Sequence, residues 1–262
     1  MLFKKHNLTK YLKGKGIEIG ALGNPLMVNP KKCRVTYVDW LDREGLIRHN
    51  PAVPAGCIRQ PDVVGNAMDL NMFADESMDF VIASHLLEHL PNPIRAMKEF
   101  YRVLKTGGIL YLTIPDKRWT FDKERPITSL SHLVDDYTKE AFLERDISHY
   151  KEWFSLVEQN RPPQTRASLE YLLANRCMIH FHVWQPESII EMLNYMKNNL
   201  GVCYYLKDYY YRQKDIDFIF ILKKASSSFC PDLPFQIKEK YSIIWLFLYR
   251  LKERVRKIKL VD

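Results

Sequence analysis

Gly16-Ile17-Glu18-Ile19-Gly20-Ala21-Leu22-Gly23 is the stretch that decides the fold. It reads as a short apolar strand that carries one acid and ends in a glycine turn. Further along, Val35-Thr36-Tyr37-Val38 reads as a second strand, with Asp39 at its tip. A glycine turn after one strand and an acid at the end of the next is how an α/β protein holds a nucleoside. The glycines let backbone approach the ligand, and the carboxylate takes the ribose hydroxyls.

Working outward, strand and helix signals alternate from Gly16 to about residue 200, which predicts a mostly parallel sheet. Strands are expected at 16–20, 35–39, 62–65, 79–84 and 109–114. Pro91 to Leu104 is expected to be a helix. Its prolines suit a helix start, and Ile94, Met97, Tyr101 and Leu104 form an apolar stripe. Lys105-Thr106-Gly107-Gly108 should end it, with a glycine at positive φ. Residues 116–180 read as a helical cap over the carboxyl edge of the sheet. A helix should start at Pro186. Strands near 202–212 and at 217–223 are separated by so few residues that they should pair antiparallel. The organisation is therefore a domain over 1–224, a linker over 225–240 and an amphipathic basic helix over 241–262.

The net charge of +8 is concentrated in one place. Residues 238–262 hold eight Lys or Arg against three acids, so the tail carries +5 and the body is close to neutral. A near-neutral body without an extended basic and aromatic stripe argues against a nucleic-acid surface. No stretch is long and apolar enough to span a bilayer, and the N-terminal run lacks the apolar centre of a secretory signal. The five cysteines, at 33, 57, 177, 203 and 230, form no C-x-x-C pair and are expected to be reduced thiols of a cytoplasmic protein.

Several runs together resemble class I S-adenosylmethionine-dependent methyltransferases (methyltransferase type 11-like) over roughly residues 14–224. They are Ile17–Gly20, Val38-Asp39, Asp79–His89 and Arg102–Gly108. Pro115–Asp122, Arg125-Pro126 and His182–Glu187 narrow the resemblance to the group associated with bacterial sugar and surface-polysaccharide biosynthesis. The resemblance implies a Rossmann-like, doubly wound, seven-stranded sheet with an antiparallel last strand. It also implies S-adenosylmethionine as cofactor. Glu18, Gly20, Ala21 and Gly23 would lie under its methionine part, Asp39 on the ribose, and Asn66 and Ala67 at the adenine. Ser84 and His85 would face the reacting methyl group. Leu22 stands where the family has a glycine, and Pro25 and Pro30 leave little room for a first helix. Binding of the cofactor carboxylate by a helix N-terminus is therefore not expected.

Methyl transfer is an in-line displacement at an already electrophilic carbon, so alignment dominates. A sugar hydroxyl still needs a base or a metal to remove its proton. His85 and His89, one helical turn apart, are the catalytic candidates, with His85 preferred as base. Some ubiquinone-pathway and RNA 2′-O-methyltransferases carry Glu-x-x-Glu-His here, plus a later histidine, and bind a divalent ion. By that likeness His85, Glu88, His89 and His182 are metal candidates. Such a nitrogen-rich set favours zinc, manganese or iron over magnesium. The alternative is that Glu88-His89 caps a helix and braces the sheet. Asp116, Arg118, Arg125 and His182 are substrate candidates, the arginines for a phosphate or carboxylate, against the alternative of ion pairs within the cap.

The expected acceptor is a saccharide or a nucleotide- or lipid-linked glycan. RNA methylation and a non-catalytic scaffold are the competing functions. The tail is expected to contact the inner face of the cell membrane or a protein partner.

Overall fold

The computed structural model describes residues 8–139, 142–225, 230–234 and 236–240. Seven strands form one sheet in the order β3-β2-β1-β4-β5-β7-β6. They are β1 (Gly14–Ile19), β2 (Cys33–Asp39), β3 (Val63–Val64), β4 (Met78–Ser84), β5 (Leu104–Pro115), β6 (Tyr204–Tyr210) and β7 (Asp217–Lys224). The first five are parallel, and β7 pairs antiparallel with both β5 and β6. The expected doubly wound sheet with an antiparallel last strand is thus present.

Alternation along β4 shows how the sequence builds two layers. Val81 and Ala83 face one way, into a core completed by helix α2 (Pro93–Val103) and helix α6 (Pro186–Leu200). Phe80 and Ile82 face the other way, with Tyr111, Ile219 and Ile221, against Leu8, Leu12 and Leu26. Helix α2 begins where Asn92 accepts the Arg95 N–H and Pro93 takes the first turn. The chain leaves it at Val103 and enters β5 directly, and Gly107 supplies the positive φ inside that strand.

Among the described residues no helix lies between β1 and β2, apart from turns, as Pro25 and Pro30 require. Helix α1 (Arg43–His49) comes only after β2. The cap consists of α3 (Leu130–Thr138), α4 (Phe142–Leu156) and α5 (Leu169–Ala174), with short 3-10 turns between. It has its own small core of Tyr150, Trp153, Val157, Leu172 and Ile179.

Two expectations change. Residues 230–234 and 236–240 are not a free linker. Leu233 and Ile237 are buried in the main core, and Lys240 pairs with Tyr211. Cys203 and Cys230 are joined in a disulfide, with their Cα atoms 5.9 Å apart, where thiols were expected. Sequence spacing hid this pair because the antiparallel return of the chain, not a short motif, brings the two together. The tail at 241–262 lies outside the described residues. Among the described residues, no helix is long and apolar enough to cross a membrane.

Candidate active site

The strand order reverses between β1 and β4, so the crevice at their carboxyl ends is the natural ligand site of this sheet. Gly20 turns the chain away from the end of β1 with φ +70°, a value glycine adopts without strain. A Cβ there would approach Leu86 Cδ1 to 3.0 Å. Gly20 N–H donates to Val38 O, which fixes the turn against β2. Glu18 is buried, and its Oε1 accepts the Leu26 N–H at 2.7 Å, so this acid shapes the loop beyond the turn from beneath.

Asp39 is buried at the tip of β2 and accepts the Trp40 N–H at 2.9 Å. Burial pushes its carboxyl group up, against the backbone hydrogen bonds that favour the charged form. Trp40 beside it is exposed. Asn66 holds the turn after β3 by accepting the Met68 N–H, and Ala67 is buried behind it. Small residues at the tip of β1, an acid at the tip of β2 and a switch point between them fit an adenosyl group.

On the other side of the crevice, Ser84 ends β4 and His85 takes a left-handed conformation, φ +52°. His85 Nε2 lies 3.2 Å from Asp217 Oδ2, and Nδ1 lies 3.4 Å from Glu88 Oε1. Burial opposes its charge, but the two carboxylates outweigh that and push its pKa up to about 9. His85 thus faces two acids that favour its charged form, whereas the general base expected here needs a free lone pair. Asp217 was not legible as a site residue until the register of β7, which places it opposite Pro115, brought it to this edge.

Past His85, the 3-10 turn Leu87–His89 is laced to the extended segment 179–182. Phe181 N–H donates to Glu88 O, and His89 Nδ1 lies 2.9 Å from Ile179 O. A carbonyl only accepts, so Nδ1 is the protonated nitrogen and Nε2 keeps a lone pair. His180 Nδ1 meets Asp122 Oδ2 at 2.6 Å and donates to that carboxylate. Glu88, His89 and His180 bring one donor atom each to within 4.8 Å of one another. Glu88 is fully buried, and apart from His85 Nδ1, 3.4 Å from Oε1, its carboxylate has no hydrogen-bond donor among the described residues. Burial pushes His89 toward its neutral form. For Glu88 the surrounding histidines outweigh burial and keep the carboxylate ionised. A buried carboxylate beside two imidazoles, each oriented by a carbonyl or an acid, is a donor set that would suit a divalent cation.

The later histidine of this set is His180, not His182. His182 lies in a separate cluster, where its Nδ1 meets Leu90 O at 3.1 Å and its Nε2 meets Asp136 Oδ2 at 2.9 Å. His85 also lies outside the three-ligand group.

The substrate candidates are engaged within the protein. Arg125 is buried and donates to Asp122, Glu152, His180 O and Phe181 O. It buttresses His180 through Asp122 and cannot grip a ligand. Asp116 is buried and takes both Nε and Nη2 of Arg118, which also donates to Tyr211. His182 is fully buried. The ion-pair alternative describes all three charged residues, because guanidinium–carboxylate pairs are satisfied before any acceptor arrives.

The strand order, the antiparallel β7 and the turn–acid pair at the switch point define a class I S-adenosylmethionine-dependent methyltransferase fold. Residues 28–112 match the model of the family described as Methyltransferase domain. No curated protein sequence matches the chain. Among solved structures, it is similar to a Methanosarcina mazei S-adenosylmethionine-dependent methyltransferase, at 20% identity over 84% of this chain and 97% of that one, TM-score 0.46. A Pyrococcus horikoshii protein is 17% identical over 84% of this chain and 87% of that one, TM-score 0.48. A Rhodobacter sphaeroides protein whose name places it with zinc-dependent alcohol dehydrogenases is 13% identical over 86% of this chain and 90% of that one, TM-score 0.53. At that identity the last likeness is one of fold alone.

Proposed function

We propose that the chain transfers the methyl group of S-adenosylmethionine to a hydroxyl of a saccharide or of a nucleotide- or lipid-linked glycan precursor, with a divalent cation held by Glu88, His89 and His180. The observation that carries the metal-assisted reading is the convergence of these three residues beside the carboxyl end of β4. A bound cation would supply Lewis-acid chemistry that lowers the pKa of an acceptor hydroxyl.

The chain's own residues do the rest. Asp39 binds the ribose diol, and the Gly20–Gly23 backbone lies along the methionine part. Asp122 and Arg125 hold His180 in the tautomer that presents Nε2. His85 ties Glu88 to Asp217 and so fixes the carboxylate. Phe121 is exposed and its ring centroid lies 4.8 Å from that of His180. It offers a face on which a sugar can stack beside the cation. That exposed ring, together with the subgroup resemblance, supports a saccharide acceptor.

The test is incubation with methyl-labelled cofactor and cell-envelope glycan fractions, before and after chelation. Label should enter an alkali-stable ether on a sugar, fall on chelation and return with zinc or manganese. Undiminished transfer by a chelated His180→Ala variant would remove the metal. Absence of cofactor binding in calorimetry would remove the enzyme.

A further inference from the structure

Six of the chain's eight histidines gather where the cap meets the sheet, and the site above uses only three of them. The other three, His132, His149 and His182, surround Asp136. His132 and Asp136 sit one turn apart on α3, His149 comes from α4, and His182 from the segment that also carries His180. Their ring nitrogens lie 3.2, 3.7 and 2.9 Å from the same oxygen, Asp136 Oδ2. The three rings stand at 71–73° to one another, with centroids 4.9–5.7 Å apart, so they converge by their edges and do not stack.

Hydrogen bonding alone does not account for this arrangement. His182 Nδ1 faces Leu90 O at 3.1 Å and its Nε2 faces Asp136 Oδ2 at 2.9 Å, both of them acceptors. A neutral ring has one N–H for the two, so in either tautomer one contact is acceptor against acceptor. A second proton on a ring with no solvent exposure would cost a full desolvation. One oxygen also has too few lone pairs to serve three ring donors well. A cation at the centre reconciles all four groups. Their donor atoms lie within 4.8 Å of one another, and the ligand set is three imidazole nitrogens and one carboxylate oxygen.

We infer that His132, Asp136, His149 and His182 form a second metal site of zinc type, distinct from Glu88–His89–His180, that clamps α3 and α4 to the 179–184 segment. Four protein ligands match the ligand count of a closed zinc site, and a nitrogen majority favours zinc over magnesium or calcium. His182 Nδ1 is oriented by a backbone carbonyl, as a ligating imidazole is. His132, on the solvent side, gives the ion a route in and out. The clamp would set the position of His180, two residues from His182, and so couple cap docking to the reaction site.

The experiment uses full-length protein stripped with a chelator, then titrated with Zn2+ and with Co2+. Bound metal is counted after dialysis by elemental analysis. Glu88→Gln, which silences the first site, should still hold one zinc and show the intense visible bands of tetrahedral cobalt. Adding His132→Gln or His149→Gln to that background should abolish the bands and weaken zinc on the order of 100-fold, loss of a ligand costing at least what second-shell changes do. Circular dichroism would establish that these variants are folded. His132, being partly exposed, is the substitution least able to disturb the fold. In the otherwise unchanged protein, His132→Gln should lower the zinc count by one. No zinc in Glu88→Gln, or an unchanged count and spectrum in both histidine variants, would overturn the second site without touching the first.

Discussion

His180 Nδ1 lies 2.6 Å from Asp122 Oδ2, and through that contact an acid of the cap decides which nitrogen of His180 faces Glu88. Asp122 is held in turn by Arg125, 2.9 Å from its other oxygen. The chain of contacts Arg125–Asp122–His180 fixes the His180 ring from behind.

Asp122→Asn should therefore weaken metal binding at the Glu88 site by about 10- to 100-fold, the range for a second-shell partner. An amide can donate to Nδ1 and so favour the wrong tautomer. Zinc titration monitored by calorimetry measures this. An affinity equal to wild type would mean that Asp122 plays no part in orienting His180.

Arg125→Ala leaves Oδ1 of the buried Asp122 and two backbone carbonyls without their Arg125 donor. The variant should lose about 3–5 kcal/mol of stability, as expected for breaking a buried pair. Arg125→Lys should recover little, since an ammonium cannot reproduce the fork of contacts. Urea unfolding followed by circular dichroism would test both.

Asp39→Asn removes the charged acceptor proposed for the ribose diol. Charged hydrogen bonds contribute about 1.5–3 kcal/mol, so affinity for S-adenosylhomocysteine should fall by roughly 10- to 150-fold. Trp40, exposed beside Asp39, provides a fluorescence signal for the titration. An unaltered Kd would place the ribose elsewhere.

The Cys203–Cys230 bond closes a loop of 27 residues, worth about 3.5 kcal/mol in the chain-entropy account. Alkylation of the denatured, unreduced protein should label Cys33, Cys57 and Cys177 only. Reduction should expose two more thiols and lower Tm. Labelling of all five without reductant would show that the bond does not form.

Much of the fold was legible in the sequence because strand alternation and turn chemistry are local. The apolar runs at Ile17–Ile19 and Phe80–Ala83, the Pro93 start and the short connection before Asp217 each specify an element without long-range help. The site was legible only in part. Glu88-His89 follows a strand and could be picked out. The third member of the cluster could not, because His180 and His182, two residues apart, would share a face of a regular strand, and only the bend at 181–182 and the packing separate them. His132 and Asp136 carried a signal in their one-turn spacing, but the partner histidines come from other elements.

By itself, then, the sequence determined the alternating α/β architecture, the glycine turn of β1 and the acid at the tip of β2, since each depends on near neighbours along the chain. Tertiary structure alone decided which charges are spent inside. It buried Arg125 and paired Arg118 with Asp116, set His85 between Glu88 and Asp217, and sorted five further histidines into two clusters. The physical reason is that protonation and ligand roles depend on burial and on partners remote in sequence, which local pattern does not encode.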